Sequence, residues 1–367
     1  MSTPPLSEGM PPPQPAAIPQ PAPSGVSCYY PPPPPRRGFW GKLFLTIFVM
    51  AVGGSFFLNL ILLAVSASML GDGTPRVQEK FVSRDKNAED KIVILPIEGV
   101  ILESEDGFVK RAIDTAMKDE HVKAVVLRVD SPGGSVSGSD YIYHHLRQLA
   151  ETKKIPIVVS MGSIAASGGY YVSMAVGHES KTIFAEPTCF TGSIGVIIPH
   201  YNIAGFMEEH GLADDSIASH DLKKMGSITK AMTSDEKDIF EALVKDSFRQ
   251  FKEVIHSGRS EFEKNPEKLN ALATGRIYSA VQAKKNGLID DIGYLEKAVD
   301  RAIELAQLDG KKFKVVRYKQ ETGLGSILLG GQSGKSESLD LKALLEMTTP
   351  NAYYLASWLP GLASAAK

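Results

Sequence analysis

The character of the apolar positions changes along this chain. From Lys91 onward, short apolar blocks alternate with stretches in which apolar residues recur at helical spacing. Ile92–Leu95 and Val122–Val129 read as buried strands, as does Ile155–Met161, because continuous apolar runs bounded by polar residues suit strands covered on both faces. Phe108–Lys118 and Ser137–Glu151 read as amphipathic helices between them. Strands alternating with helices predict right-handed βαβ crossovers and a parallel sheet with flanking helices, an α/β architecture. Farther on, the spacing predicts a long helix over Ser234–His256. Ser234 is its expected N-cap, with acidic residues in the first turn. Shorter helices near Ser279–Lys285 and Leu295–Ala306 flank Gly287-Leu-Ile-Asp290.

Upstream, the pattern is of another kind. The first 35 residues hold no Lys or Arg and are rich in Pro, a composition that cannot bury enough apolar surface to fold. Arg36, Arg37 and Lys42 follow, and then Leu43–Leu70 runs without a charge. Crossing a bilayer takes about 20 apolar residues, so this segment predicts a transmembrane helix. The basic flank places the N-terminal tail on the cytoplasmic side and the rest of the chain on the other. The small residues Ala64-Val-Ser-Ala-Ser68 leave a cleaved signal peptide as the alternative, although the apolar run exceeds the usual signal core. The expected organisation is a disordered Pro-rich tail over 1–38, a transmembrane helix over 39–70 and a tether over 71–90. A catalytic domain follows over 91–310, then a partly mobile C-terminal extension over 311–367. In that extension Gly323–Ser338 reads as mobile, and Leu339–Leu345 and Tyr353–Leu362 as a separate docking element.

Candidate chemistry gathers where small residues follow strands. Asp130-Ser-Pro-Gly-Gly-Ser-Val136 follows the second strand and reads as a glycine-rich turn. Met161-Gly-Ser-Ile-Ala-Ala-Ser-Gly-Gly-Tyr-Tyr171 follows the third and leads into a helix expected from about Ala165 to Ala175. Ligands in open α/β sheets gather beyond the carboxyl ends of strands, so the two segments should converge. Ser167 would then sit at a helix N-terminus, where free amides and the helix dipole favour negative charge. The bare backbones of Gly133 and Gly134 allow their amides to approach a substrate carbonyl. A close-packed turn without chemistry is the plain alternative for each segment. Thr191-Gly-Ser-Ile-Gly-Val196 is a further small-residue turn. Lys223 and Lys224 stand in Asp221-Leu-Lys-Lys-Met-Gly-Ser227, where a lysine pair ordinarily reads as solvated surface.

Composition narrows the choice. A net charge of −2 and a pI near 6.5 argue against nucleic acid. Cys28 and Cys189 lie in dissimilar surroundings, so neither a disulfide framework nor a cysteine metal cluster is expected. The histidines show no metal-ligand spacing, no phosphate loop is present, and no cofactor is implied.

Taken in order, Ser131-Pro-Gly-Gly134, Ala165-Ala-Ser-Gly-Gly-Tyr-Tyr171, Thr191-Gly-Ser-Ile-Gly-Val196 and Lys223-Lys-Met-Gly-Ser227 resemble the signal peptide peptidase A family of membrane-bound Ser–Lys proteases. Gly275-Arg-Ile-Tyr278, Gln282-Ala283 and Gly287-Leu-Ile-Asp-Asp-Ile-Gly293 continue the match, which covers roughly residues 91–310. The motif set occurs once, as in the family's short form.

The resemblance implies a ClpP/crotonase-like fold and a serine endopeptidase acting on signal peptide remnants and similar hydrophobic peptides. It implies Ser167 as nucleophile, Lys223 as general base and Ser193 as the hydroxyl that orients the lysine. Backbone amides of Gly168 and of the Gly133–Gly134 turn would hold the oxyanion. It further implies a homo-oligomeric ring whose neighbouring protomers share each site. Lys224 stands where the family usually has an acidic residue, which leaves Lys223 and Lys224 both open as the base, and Cys189 where it commonly has Thr or another small residue. A serine needs a base to accept its proton, and a lysine must be desolvated to serve near neutral pH. Other readings are a non-hydrolytic scaffold on the same fold and a related membrane protease acting on stomatin-like proteins. An acyl-CoA enzyme of the crotonase type would leave the Ser–Lys motifs without a purpose.

Overall fold

The structure is a computed structural model that describes residues 38–70, 77–102, 107–320 and 352–355. The chain divides into two compact units, Met1–Ala67 and Ser68–Lys367.

The first unit contains most of helix α1 (Phe39–Leu70). Its Trp40–Leu63 stretch is long and apolar enough to cross a membrane, with a mean hydropathy of 2.2. The few polar side chains in it turn back onto their own helix. Thr46 Oγ1 donates to the Lys42 carbonyl at 2.9 Å, and Asn59 Nδ2 to the Ser55 carbonyl at 2.7 Å. Polar groups satisfied within one helix are what a hydrocarbon surrounding demands.

The second unit is built on one sheet, with ten strands among the described residues. In chain order they are β1 (Val77–Arg84), β2 (Lys91–Ile101), β3 (Val122–Ser135), β4 (Ile157–Ala166), β5 (Ile183–Ala185), β6 (Phe190–Gly192), β7 (Ile277–Ser279), β8 (Asp291–Ile292), β9 (Lys314–Gln320) and β10 (Tyr353–Leu355). The main order is β1-β9-β2-β3-β4-β5-β8, with β6 paired to β4 and β7, and β10 paired to β3. Strands β9, β2, β3, β4, β5 and β8 pair in parallel, whereas β1, β7 and β10 join antiparallel. The helices are α2 (Phe108–Lys118), α3 (Val136–Lys153), α4 (Gly168–Ser173), α5 (Ala204–Glu209), α6 (Ser234–Gly258), α7 (Ser260–Lys264), α8 (Pro266–Leu272), α9 (Ala280–Asn286) and α10 (Leu295–Leu305).

The alternation of side chains along each strand divides the core in two. Val93, Leu95 and Ile97 of β2 point with Val125, Leu127 and Val129 of β3 toward α2, α3, α4 and α6. Ile92, Ile94, Ala124 and Val126 point the other way, against Ala298, Val299, Ala302 and Ile303 of α10. Each fully buried Val, Leu or Ile stabilises the fold by about 1.5–3 kcal/mol. Covered on both sides, these strands carry the continuous apolar runs that made them visible in the sequence, and the α/β class is as expected.

Several boundaries differ from the sequence expectation. Part of the expected tether over 71–90 is strand β1, paired to β9 from Val77↔Gln320 to Arg84↔Lys314. Its sequence is largely polar because it is an edge strand exposed on most of its length. The folded domain does not end at 310, since β9 lies inside the sheet against β1 and β2. The Asp130–Val136 segment is not a turn in its first half, for β3 stays extended to Ser135. The helix expected over 165–175 starts only at Gly168, because β4 continues to Ala166. Thr233 rather than Ser234 caps α6, through a reciprocal pair of bonds with Glu236. Tyr353–Leu355 is part of the main sheet rather than of a separate docking element. The Pro-rich tail and the Gly323–Ser338 and Leu339–Leu345 segments lie outside the described residues.

Candidate active site

Ser167 stands at the corner between β4 and α4. Its backbone has φ 55° and ψ −114°, a left-handed conformation that costs a non-glycine residue about 1–3 kcal/mol. The chain on both sides holds it there. Ala165 and Ala166 pair with Thr191 and Gly192 of β6, the Ser167 amide donates to the Gly192 carbonyl at 2.7 Å, and the Ser167 carbonyl accepts from the Tyr171 amide at 2.9 Å. Ser167 is 1% exposed, and its Oγ has no hydrogen-bond partner in the chain. A buried hydroxyl without a partner costs about 1–3 kcal/mol, so this corner stores strain in both backbone and side chain.

The glycines converge on the same corner. Gly133 has φ +104°, and a Cβ placed on it would fall 2.1 Å from the Tyr354 carbonyl oxygen and 2.7 Å from the Gly168 amide nitrogen. On Gly168 a Cβ would meet Ser139 Oγ at 2.4 Å, the Gly133 Cα at 3.1 Å and the Gly134 amide nitrogen at 3.1 Å. Three glycine backbones are thus packed together with no room for a side chain. The Gly133 amide also donates to Ser131 Oγ at 3.1 Å.

Ser193 follows β6 as Ser167 follows β4, so parallel pairing sets the two serines side by side. Ser193 also has positive φ, 51°, is nearly buried, and donates its amide to the Arg276 carbonyl at 2.8 Å. Ser167, Ser193, Gly133, Gly134 and Gly168 are therefore brought together.

Lys223 is not brought to them. It lies exposed in a 3-10 turn, Asp221–Lys224, and Lys224 beside it is half-buried. Among the described residues no side-chain hydrogen bond or ion pair joins either lysine to Ser167 or Ser193. The turn belongs to an excursion over residues 198–232, closed by the Ile203 amide on the Ile228 carbonyl at 2.8 Å. Within it Asp214 accepts from Thr229 Oγ1 at 2.5 Å and from the Ser216 hydroxyl. Those donors, Ser216 first, hold the Asp214 carboxyl down to about 2. The excursion exposes large apolar groups. Ile217 is 101% and Tyr201 74% exposed, with Phe206, Leu212 and Leu222 also open.

Other supports were not singled out in the sequence. Asp130 Oδ1 accepts from Ser163 Oγ at 2.6 Å and from the Ile164 amide at 3.2 Å, which ties β3 to β4 just ahead of Ser167. Arg128 bridges Ser160 Oγ at 3.0 Å and Glu186 at 2.5 Å. The fully buried Cys189 thiol is pushed up to about 12, by burial first and then by the nearby Asp130 and Glu186 charges. Among the described residues no group of three or more His, Cys, Asp or Glu side chains is placed to hold a metal.

Comparison with known proteins places this arrangement among peptidases. The family model "Peptidase family S49" matches residues 150–309. A protein bearing the signal peptide peptidase SppA name in Enterococcus faecium is 35% identical over 263 residues, covering 68% of this chain and 73% of that protein. Protease 4 of Salmonella typhi is 32% identical, over 64% of this chain and 36% of its own length. The chloroplastic serine protease SPPA of Arabidopsis thaliana is 32% identical, over 65% of this chain and 34% of its own length. The chain thus spans about a third of the two longer relatives and most of the shorter one.

Proposed function

This chain belongs to the signal peptide peptidase A family, peptidase family S49, and from that premise we propose a membrane-anchored serine endopeptidase that uses a Ser–Lys dyad. Its substrates are signal peptide remnants and similar hydrophobic peptides. The observation that carries the reading is Ser167: a buried, unpartnered hydroxyl on a strained strand-to-helix corner, beside the packed backbones of Gly133, Gly134 and Gly168.

In the proposed reaction Ser167 Oγ attacks the substrate carbonyl carbon and its proton passes to the neutral amine of Lys223. Amides of Gly168 and the Gly133–Gly134 segment hold the oxyanion. The carbon–nitrogen bond then breaks, and the lysine returns the proton to the departing amine. Water repeats the sequence on the acyl-enzyme and releases the carboxylate. Ser193 orients the lysine.

The lysine comes from a neighbouring protomer. The exposed position of Lys223 on an excursion rich in open apolar side chains supports this reading, as does the lack of any partner for Ser167 within its own chain. Head-to-tail contacts of that kind close into rings. Helix α1 anchors the chain, with the peptidase domain on the non-cytoplasmic face.

Cleavage of a hydrophobic signal-like peptide by detergent-solubilised protein tests the dyad. Ser167→Ala and Lys223→Ala each lower kcat/KM by about a thousandfold or more, whereas Lys224→Ala stays within about tenfold of the parent. Full activity in Ser167→Ala removes this serine from the mechanism. An inactive Lys224→Ala beside an active Lys223→Ala moves the base by one position.

A further inference from the structure

Residues 352–355 lie in a slot that pairs both of their edges. On one side they run antiparallel to β3, with Tyr353↔Ser135, Tyr354↔Gly134 and Leu355↔Gly133, and the Val136 amide donates to the Ala352 carbonyl at 3.1 Å. On the other, Tyr353 and Ile197 exchange amide-to-carbonyl bonds of 2.9 and 3.1 Å. An extended segment gripped by backbone on both edges is the geometry in which a peptide is added to a sheet.

The segment is also aligned with the chemistry. The Tyr354 carbonyl oxygen reaches the point where a Gly133 side chain would begin, and the Gly168 amide nitrogen lies 2.7 Å from that same point. This carbonyl therefore sits at the glycine amides that follow β3 and Ser167. The Tyr354 side chain is fully buried. Its ring stacks on Tyr171 with centroids 5.1 Å apart at 24° and tilts against Phe251 at 4.6 Å. Its hydroxyl donates to the Ser247 carbonyl at 2.8 Å. Tyr171 is itself fixed by a 2.6 Å bond to Asp140, which also accepts from Gln250 at 3.2 Å.

We propose that residues 352–355 occupy the acyl half of this chain's own substrate cleft as a built-in substrate mimic, and that the Tyr171–Phe251 pocket selects a tyrosine immediately ahead of the bond to be cut. The proposal rests on the Ser167 reading above for the identity of the cleft. Aromatic walls exclude charged side chains, and the Ser247 carbonyl at the pocket's end rewards a hydroxyl that phenylalanine lacks. While the segment is in place, Ser167 stays closed to solvent and external peptides must displace it.

The test uses three proteins in the Ser167→Ala background: the full chain, a chain ending at residue 351, and the full chain with Tyr354→Ala. The probe is a fluorescein-labelled Asn-Ala-Tyr-Tyr-Leu-Ala peptide followed by anisotropy. It binds the shortened chain and Tyr354→Ala at least about tenfold more tightly than the full chain. Replacing its second tyrosine by phenylalanine weakens binding about tenfold, the scale of one hydrogen bond, and by alanine more. Equal affinity for all three proteins overturns the mimic, and indifference to the second tyrosine overturns the pocket. Tyr354→Ala keeps the chain whole should the shortened form fail to fold. Cleavage of the same peptide by protein with Ser167 intact reads the activity separately. Binding as described without cleavage would overturn the hydrolytic reading and leave the occupancy standing.

Discussion

At the scale of single residues, the site is a set of positions where side chains are small because backbones must meet. Gly133 and Gly168 have no room for a Cβ, and Ser167 accepts a left-handed backbone that leaves its hydroxyl at the corner. Cys189, behind this corner, is inert by the same close packing. With its thiol pushed up to about 12 by burial, almost none is thiolate at pH 8, and only the thiolate reacts. Mass-resolved alkylation should leave Cys189 unmodified in the native protein and label it fully in guanidinium. Rapid native labelling at this position would mean that the strands around Ser167 open readily. Ser167, Ser193 and the glycines were legible in the sequence because clusters of small residues after apolar runs have few purposes. Asp130 was not, since its bonds to Ser163 and Ile164 depend on a strand pairing that no local pattern announces. Tyr354 was less legible still, being separated from its pocket by more than a hundred residues of chain.

At the scale of elements, β2, β3 and β4 could be read because burial on both faces leaves them apolar throughout. Strand β1 could not, because an edge strand with exposed faces has the composition of a linker. What ties it down is charge rather than apolar area. Lys91, nearly buried at the start of β2, binds Glu79 of β1 at 2.6 Å and Asp119 at 2.7 Å. Burial by itself would lower the Lys91 amine, but its bonds to Asp119 and Glu79 outweigh that and leave it raised above 10.5. Burial would raise Asp119, yet the Lys91 bond and the His121 amide hold it below 3.8. The stabilisation from Asp119 is present above pH 3.8 and lost as pH falls through its lowered value. That from Lys91 is complete below 10.5 and lost as pH rises through its raised value. Lys91→Met should therefore lower Tm most near pH 7, with the gap to the parent closing toward pH 3. A gap that stays constant across that range would show that packing of the lysine stem, not its charge, anchors β1.

At the scale of the whole molecule, the sheet gathers the serine, the glycines and the 352–355 segment within one chain, while the lysine required for the reaction stands apart on the 198–232 excursion. Subunit exchange between Ser167→Ala and Lys223→Ala, each inactive alone, should restore part of the activity, because some interfaces then pair an intact serine with an intact lysine. Exchange confirmed by native mass without recovered cleavage would assign each dyad to one chain. Sequence pattern could not decide this, since periodicity reports what a chain buries in itself and is silent on what a second copy completes.

The double-edged slot around 352–355 has a further consequence, for which proteins are spared. A guest must offer both edges of an extended stretch at once, which no helix and no strand already seated in a sheet can do. Admission then depends on how often the guest's own structure opens. A segment held by a fold worth about 5 kcal/mol is free roughly once in several thousand encounters, whatever residues it carries. Discrimination between debris and working proteins would thus come from the folding stability of the guest, with the tyrosine pocket choosing only among chains that have already lost theirs.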